Sequence, residues 1–234
     1  MGDFLTYFVR RPPVPTLVRF SDPVERDDYL ARIRQRVGLG VERFAILNVH
    51  RIGIDAPLLL VWQKSLAWGP NSTYWPMRIA PMERPDGSNR WLEVYLFGRK
   101  RPLPLLGEGV FGLDFMPLFR MELLKQQDVP GVLDPDNGRF LLYRCVGGYP
   151  IGLFSLYVRS GIAAENEAER TQFFFVVAFD FYGRRQWSRS GPVRWTWERV
   201  HNRVTANVLN LFKRECEEEF AAIRSGAGEA HASA

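Results

Sequence analysis

Apolar residues recur three and four positions apart over one long stretch, Pro192 to Arg224. Val193, Trp197, Val200, Val204, Val208, Leu211, Phe212, Cys216, Phe220 and Ile223 fall there on a single helical face. The pattern predicts one long amphipathic helix. Ser190 or Gly191 is placed to cap it, Pro192 suits its first turn, and Gly226 stands where a C′ glycine ends a helix. Such a helix runs roughly 45–50 Å at 1.5 Å per residue, so it needs a large apolar partner surface.

Upstream, the period changes from that of a helix to that of a strand. Phe44 to Ile54 reads as the first strand, and Asp55-Ala56-Pro57, with Asp55 as N-cap and Pro57 in the first turn, opens a short helix over Leu58 to Trp68. A second short helical or irregular segment follows at Ser72 to Ile79, and Pro85-Asp86-Gly87 marks a turn. Trp91 to Arg99, Val110 to Met116, Leu118 to Gln127, Arg139 to Val146, Gly152 to Ile162 and Thr171 to Tyr182 then fit strands. Short connections between them imply an antiparallel meander, since parallel pairing needs long crossovers. Ahead of all this, Pro12, Pro13 and Pro15 force an extended path. Ser21-Asp22-Pro23 starts a helix whose stripe of Tyr29, Leu30, Ile33 and Val37 ends at Gly38 and Gly40. The division expected is an N-terminal arm with one helix at 1–40, a main domain at 41–226 and a disordered tail at 227–234.

Alternation separates two sheet faces. One face reads Leu92, Val94, Leu96; Phe119, Met121, Leu123; Leu142, Arg144, Val146; Phe154, Leu156, Val158; and Phe173, Phe175, Val177, Phe179, Phe181. This face is expected against the terminal helix. The other carries Trp91, Glu93, Tyr95, Arg120, Glu122, Leu141, Tyr143, Cys145, Ser155, Tyr157, Arg159, Gln172, Asp180 and Tyr182, and is greasier than a solvated face. Something is expected to cover part of it, either the N-terminal arm or a second subunit.

The order of one strand, two short helices, a strand meander and a long last helix, with the Asp55-Ala56-Pro57 entry, resembles the START-like or helix-grip superfamily. That group includes polyketide cyclases, aromatases and ligand carriers of the birch-pollen-allergen type. The resemblance covers about residues 44 to 224. It implies an α+β helix-grip fold in which a curved antiparallel sheet of about seven strands wraps the C-terminal helix and leaves a cavity between them. The arm at 1–40 departs from the minimal pattern, and no catalytic motif comes with the match.

The chain carries a net charge of +5, with both signs interspersed. Arg10-Arg11, Arg99-Lys100-Arg101 and Arg184-Arg185 read as solvated turns rather than a specific nucleic-acid surface. Phe4 to Val9 is too short to span a bilayer, so membrane contact would be at most peripheral. The two cysteines, Cys145 and Cys216, read as small core residues, and a reducing, cytoplasmic setting is expected. No phosphate-cradling glycine loop, nucleophile elbow or zinc spacing occurs, so no cofactor is expected.

Few residues are left to carry chemistry. Arg144 is the only charge on the face assigned to the helix. Desolvating it unpaired would cost several kcal/mol, so it meets an acid, a strand-end environment, or the carboxylate or enolate of a ligand. Val94 and its neighbours on that face would form the apolar ligand wall. His201 and Thr205, one turn apart, flank the helix face with Asn207 on the opposite side; His201 is either a surface histidine or a proton handler. His50 reads as a hydrogen-bonded structural residue of the first strand. Three functions follow: binding of a hydrophobic or aromatic, lipid-like or polyketide-like small molecule between sheet and helix; a cofactor-independent cyclase, aromatase or hydro-lyase in the same cavity, with His201 and Arg144 as candidates; or a protein-interaction scaffold.

Overall fold

The computed structural model of the chain describes residues 4–38, 40–41, 44–68, 72–78, 80–95, 119–129, 137–148, 151–161, 170–180 and 190–232. The expected strand Val110 to Met116, and the expected face residues Leu96, Phe181 and Tyr182, lie outside them.

A short π-helical turn, Leu5–Val9, leads into an extended arm and then helix α1, Pro23–Val37. The start of α1 is written in the chain. The Asp22 carboxylate accepts from the Glu25 amide at 2.9 Å, while the Ser21 amide and hydroxyl both donate to Glu25 Oε2 at 2.7 Å. At the other end Gly38 adopts φ 77°, the left-handed stop that a residue without Cβ accepts cheaply. Strand β1, Ile46–Ile54, and helix α2, Leu58–Leu66, follow. The remaining strands are β2 (Met82–Glu83), β3 (Trp91–Val94), β4 (Phe119–Gln127), β5 (Arg139–Gly148), β6 (Ile151–Ser160) and β7 (Thr171–Asp180). Helix α3 closes the fold at Gly191–Ala232.

All seven strands join one antiparallel sheet in the order β1-β7-β6-β5-β4-β3-β2. The long connection from β1 places it beside the last strand, and β2 to β7 then run as a meander curled in a half-barrel around α3. This is the α+β helix-grip arrangement. Beyond β1, the arm continues the sheet: Leu17 bridges His50, the Val18 amide donates to Val49 O at 2.8 Å, and the Arg51 amide donates to Thr16 O at 2.7 Å. The Val49 carbonyl and the Arg51 amide on the outer edge of β1 are thereby paired with chain rather than left open.

Between the sheet and α3 lies the main core. Phe154 and Phe175 meet at 4.9 Å between ring centroids, Trp68 reaches Phe154 at 4.7 Å, and Phe212 of α3 meets Phe173 at 4.8 Å and Tyr74 at 4.9 Å. These rings touch one another along the described residues. Cys145 and Cys216 are buried here, and burial pushes both thiols up to about 12, so they stay protonated.

Three local expectations are corrected. On β5 it is Leu141, Tyr143 and Cys145 that join the core under α3, cross-strand from Leu156, Phe154 and Gly152, so Leu142, Arg144 and Val146 point the other way. Asp55 does not cap α2. Its carboxylate lies 3.4 Å from Arg170 and 3.7 Å from Lys213, and the helix starts after Pro57 with no side-chain cap. Gly226 does not end α3, because its backbone has no positive φ and the helix continues to Ala232.

Candidate functional site

Two polar or hollow regions merit description, one on each face of the sheet. The first is a polar seam where the arm, β1 and α3 meet. Asn48 and His50 share the inward parity of β1, and His201, Asn202 and Thr205 lie within about one turn of α3. The His50 ring donates from Nε2 to Asn202 Oδ1 at 3.1 Å, which makes Nδ1 the acceptor of the Thr16 hydroxyl at 2.8 Å. His201 receives the Asn48 amide at Nδ1 (3.5 Å), leaving Nε2 to donate to Thr205 Oγ1 at 3.4 Å. Its ring also stacks on Trp197 at 4.2 Å and meets His50 edge-on at 5.9 Å.

Burial sets the chemistry of both rings. His50 has no exposed surface, and desolvation pushes its pKa down to about 4, only partly offset by the bond to Asn202. His201 is pushed down to about 3, first by burial and then by the neighbouring His50. Both are neutral above pH 5. A base this weak is poorly matched to proton transfer near neutrality, where efficiency favours a pKa close to the working pH. The seam therefore reads as a stitch between arm, strand and helix. Asn207 and Asn210 continue it: Asn207 Nδ2 donates to the carbonyls of Tyr7 and Arg10, both at 3.0 Å, and Asn210 exchanges two hydrogen bonds with the Val14 backbone.

The other sequence-derived candidates are placed as follows. Arg144 sits on the outward face with a side chain 54% exposed, 2.6 Å from Glu122 on β4. It touches no part of the space under α3. A solvated pair of this kind contributes little, so Arg144→Ala is expected to change unfolding free energy by no more than about 1 kcal/mol. Urea denaturation checks this, and a loss of several kcal/mol would contradict the exposed placement. Val94 is fully buried in the main core beside Met82 and Phe119 in register. Glu93 pairs across the strands with Arg120 at 3.3 Å.

The second region is a cavity of about 580 Å³ on the outward face. Its floor comes from alternate residues of three neighbouring strands: Leu142 of β5; Leu153, Ser155 and Tyr157 of β6; Phe174 and Val176 of β7. All six are buried. Its roof is the arm from Pro15 to Phe20 and the face of α1 bearing Tyr29 and Ile33. Tyr157 and Phe174 lie 5.6 Å apart at 59°, and Phe20 meets Tyr29 at 5.3 Å. Ser155 supplies a hydroxyl on the floor, which donates to Leu141 O at 2.9 Å. At the rim stand Arg19, Arg32, Arg51 and Arg159, with Glu25 as the lining carboxylate. The Arg159 guanidinium lies over the Phe174 ring at 5.5 Å, and that of Arg32 over Tyr29 at 5.9 Å.

Alternation alone did not find this cavity, but a trace of it was present. Phe173 to Val177 is apolar at both parities, as a strand must be when covered on both faces.

No protein-family model matches the chain, and no curated protein matches it. Among solved structures, a conserved protein from Geobacillus kaustophilus is similar at 12% identity, over 74% of this chain and 96% of that one, with a TM-score of 0.41. A norcoclaurine synthase point mutant from Thalictrum flavum, in complex with a transition-state analogue, is similar at 8% identity over 70% of this chain and 94% of its own, with a TM-score of 0.33. A protein from Arthrobacter aurescens is similar at 16% identity over 71% and 87%, with a TM-score of 0.30. Likeness at this level says nothing about what this chain binds. Among the described residues, no helix is long and apolar enough to cross a membrane.

Proposed function

We propose that this protein binds an apolar, ring-bearing small molecule, held in the cavity between the outward sheet face and the N-terminal arm. The observation that carries the reading is the cavity of about 580 Å³ floored by buried aromatic and aliphatic side chains. Ligand pockets typically enclose about 300–1,000 Å³ and are mostly apolar with a few placed polar groups. The space between sheet and α3 is the other place where a ligand could be sought, and there the described rings already touch one another. Carriage is favoured over catalysis, because the two histidines of the seam are held neutral and away from the outward cavity.

Val18 of the arm lines the cavity while its backbone, not its side chain, pairs with β1. Val18→Trp therefore fills the hollow and leaves the pairing in place. Solvent extraction and mass spectrometry of the purified protein are expected to yield an apolar compound retained by wild type and absent from Val18→Trp. Equal retention by the two proteins would refute the reading, as would an empty wild type that also fails to take up 2-naphthalenemethanol, 2-naphthoate and 2-naphthyl phosphate in calorimetric titrations.

A further inference from the structure

The rim of the cavity is charged in a way that its floor is not. Four guanidinium groups line it, those of Arg19, Arg32, Arg51 and Arg159, while Glu25 is the one carboxylate among the lining residues. Glu25 is already occupied: Ser21 donates to it twice at 2.7 Å and holds its carboxyl below the ordinary value. Arg19, Arg32 and Arg51 are exposed and have no carboxylate within 4.0 Å among the described residues. Elsewhere on the same face the arginines are matched, Arg120 by Glu93 and Arg144 by Glu122. The excess is thus local to the hollow, and it comes from three separate elements: Arg19 of the arm, Arg32 of α1 and Arg51 of β1.

From this arrangement we infer that the ligand is an organic acid, with an apolar ring-bearing body on the floor and an anionic head among the rim arginines. The inference rests on the cavity reading above. Carboxylate and phosphate share the required chemistry, two oxygens that accept the paired N–H groups of a guanidinium. The floor supplies apolar burial, and the rim supplies charge-assisted hydrogen bonds at the edge of a low-dielectric surface, where they are stronger than in open water. A neutral molecule of the same shape would use the first contribution alone. A polymeric anion would engage only the rim, since the roof formed by the arm and α1 closes over the apolar floor.

Calorimetric titration with 2-naphthoate, 2-naphthyl phosphate and the neutral 2-naphthalenemethanol tests this. At low salt at least one of the two acids is expected to bind about tenfold or more tightly than the alcohol, the size of one charge-assisted contact. The tighter acid identifies the head group. In Arg32→Gln/Arg51→Gln, both on exposed positions, the preference for acid is expected to fall to within about threefold while the alcohol's affinity stays unchanged. If the alcohol binds wild type as tightly as both acids, or the preference survives in the double variant, the acid head is refuted and the cavity reading stands. If no probe binds, or Val18→Trp leaves all three affinities intact, the cavity reading falls and the acid falls with it.

Discussion

Phe212→Ala is expected to lower the unfolding free energy by about 3–5 kcal/mol, the range for truncating a buried aromatic ring. Phe212 is 2% exposed and lies where α3 meets both β7, through Phe173, and the segment after α2, through Tyr74. No other described ring of α3 joins these two parts of the core, so the hole left by the alanine cannot be filled by a neighbour without moving backbone. Urea denaturation followed by tryptophan fluorescence measures the effect. Phe220→Ala, a partly buried ring further along α3, supplies the comparison and is expected to cost less. A loss below about 1 kcal/mol for Phe212→Ala would mean that α3 is not seated on the sheet as described.

The second large effect is acid sensitivity. In the unfolded chain His50 titrates near 6.5, and in the fold near 4. Between these values the unfolded state binds more protons than the folded one, so stability falls as pH falls. The stabilisation is complete above pH 6.5, is lost progressively down to about pH 4, and is flat below that for this group. The gap corresponds to about 3 kcal/mol. His201 acts in the same direction over a window reaching about pH 3, and the repulsion between the two rings makes protonation of both harder still. Denaturation midpoints of wild type and His50→Gln, compared at pH 7, 5.5 and 4.5, report the difference. Glutamine keeps a donor and an acceptor but does not titrate, so its curve is expected to lose the His50 part of the acid slope. Parallel curves for the two proteins would show that His50 charges freely in the fold. The hydroxyl of Thr16 can reverse to accept from a charged ring, so the cost arises from desolvation rather than from a broken hydrogen bond.

Much of this architecture is readable from the residues themselves. The helix start at Ser21-Asp22-Pro23 and its stop at Gly38 are local chemistry, and so are the turns that separate the strands. On β7 and β3 the alternation of the sequence agrees with the fold, with Phe173, Phe175, Leu92 and Val94 in the core beneath α3. On β5 the run Phe140-Leu141-Leu142-Tyr143 is apolar at every position, because Phe140 and Leu142 pack beneath Val18, Tyr29 and Ile33 on one face while Leu141 and Tyr143 pack beneath α3 on the other. Alternation cannot choose a face where both are covered, and register shifts between β4 and β5 remove the help of the neighbouring strand. Arg144 was drawn to the wrong side by that ambiguity. The cavity and the histidine seam are harder still. Thr16, His50 and His201 come together only through pairings that span 34 and about 150 residues of chain. A hollow is a property of what surrounds it, and half of this one is walled by the arm rather than by the sheet.

The arm's place against β1 has a consequence for how the chain behaves without it. A protein trimmed to begin near residue 41 would bare the outer amides of β1 together with the greasy patch around Tyr157 and Phe174. Two such molecules would satisfy that edge by pairing β1 with β1 about a twofold axis, which uses both bared edges and closes as a dimer. In this light the first forty residues act as a guard against self-pairing as much as a lid over the hollow, and neither duty could be lost alone.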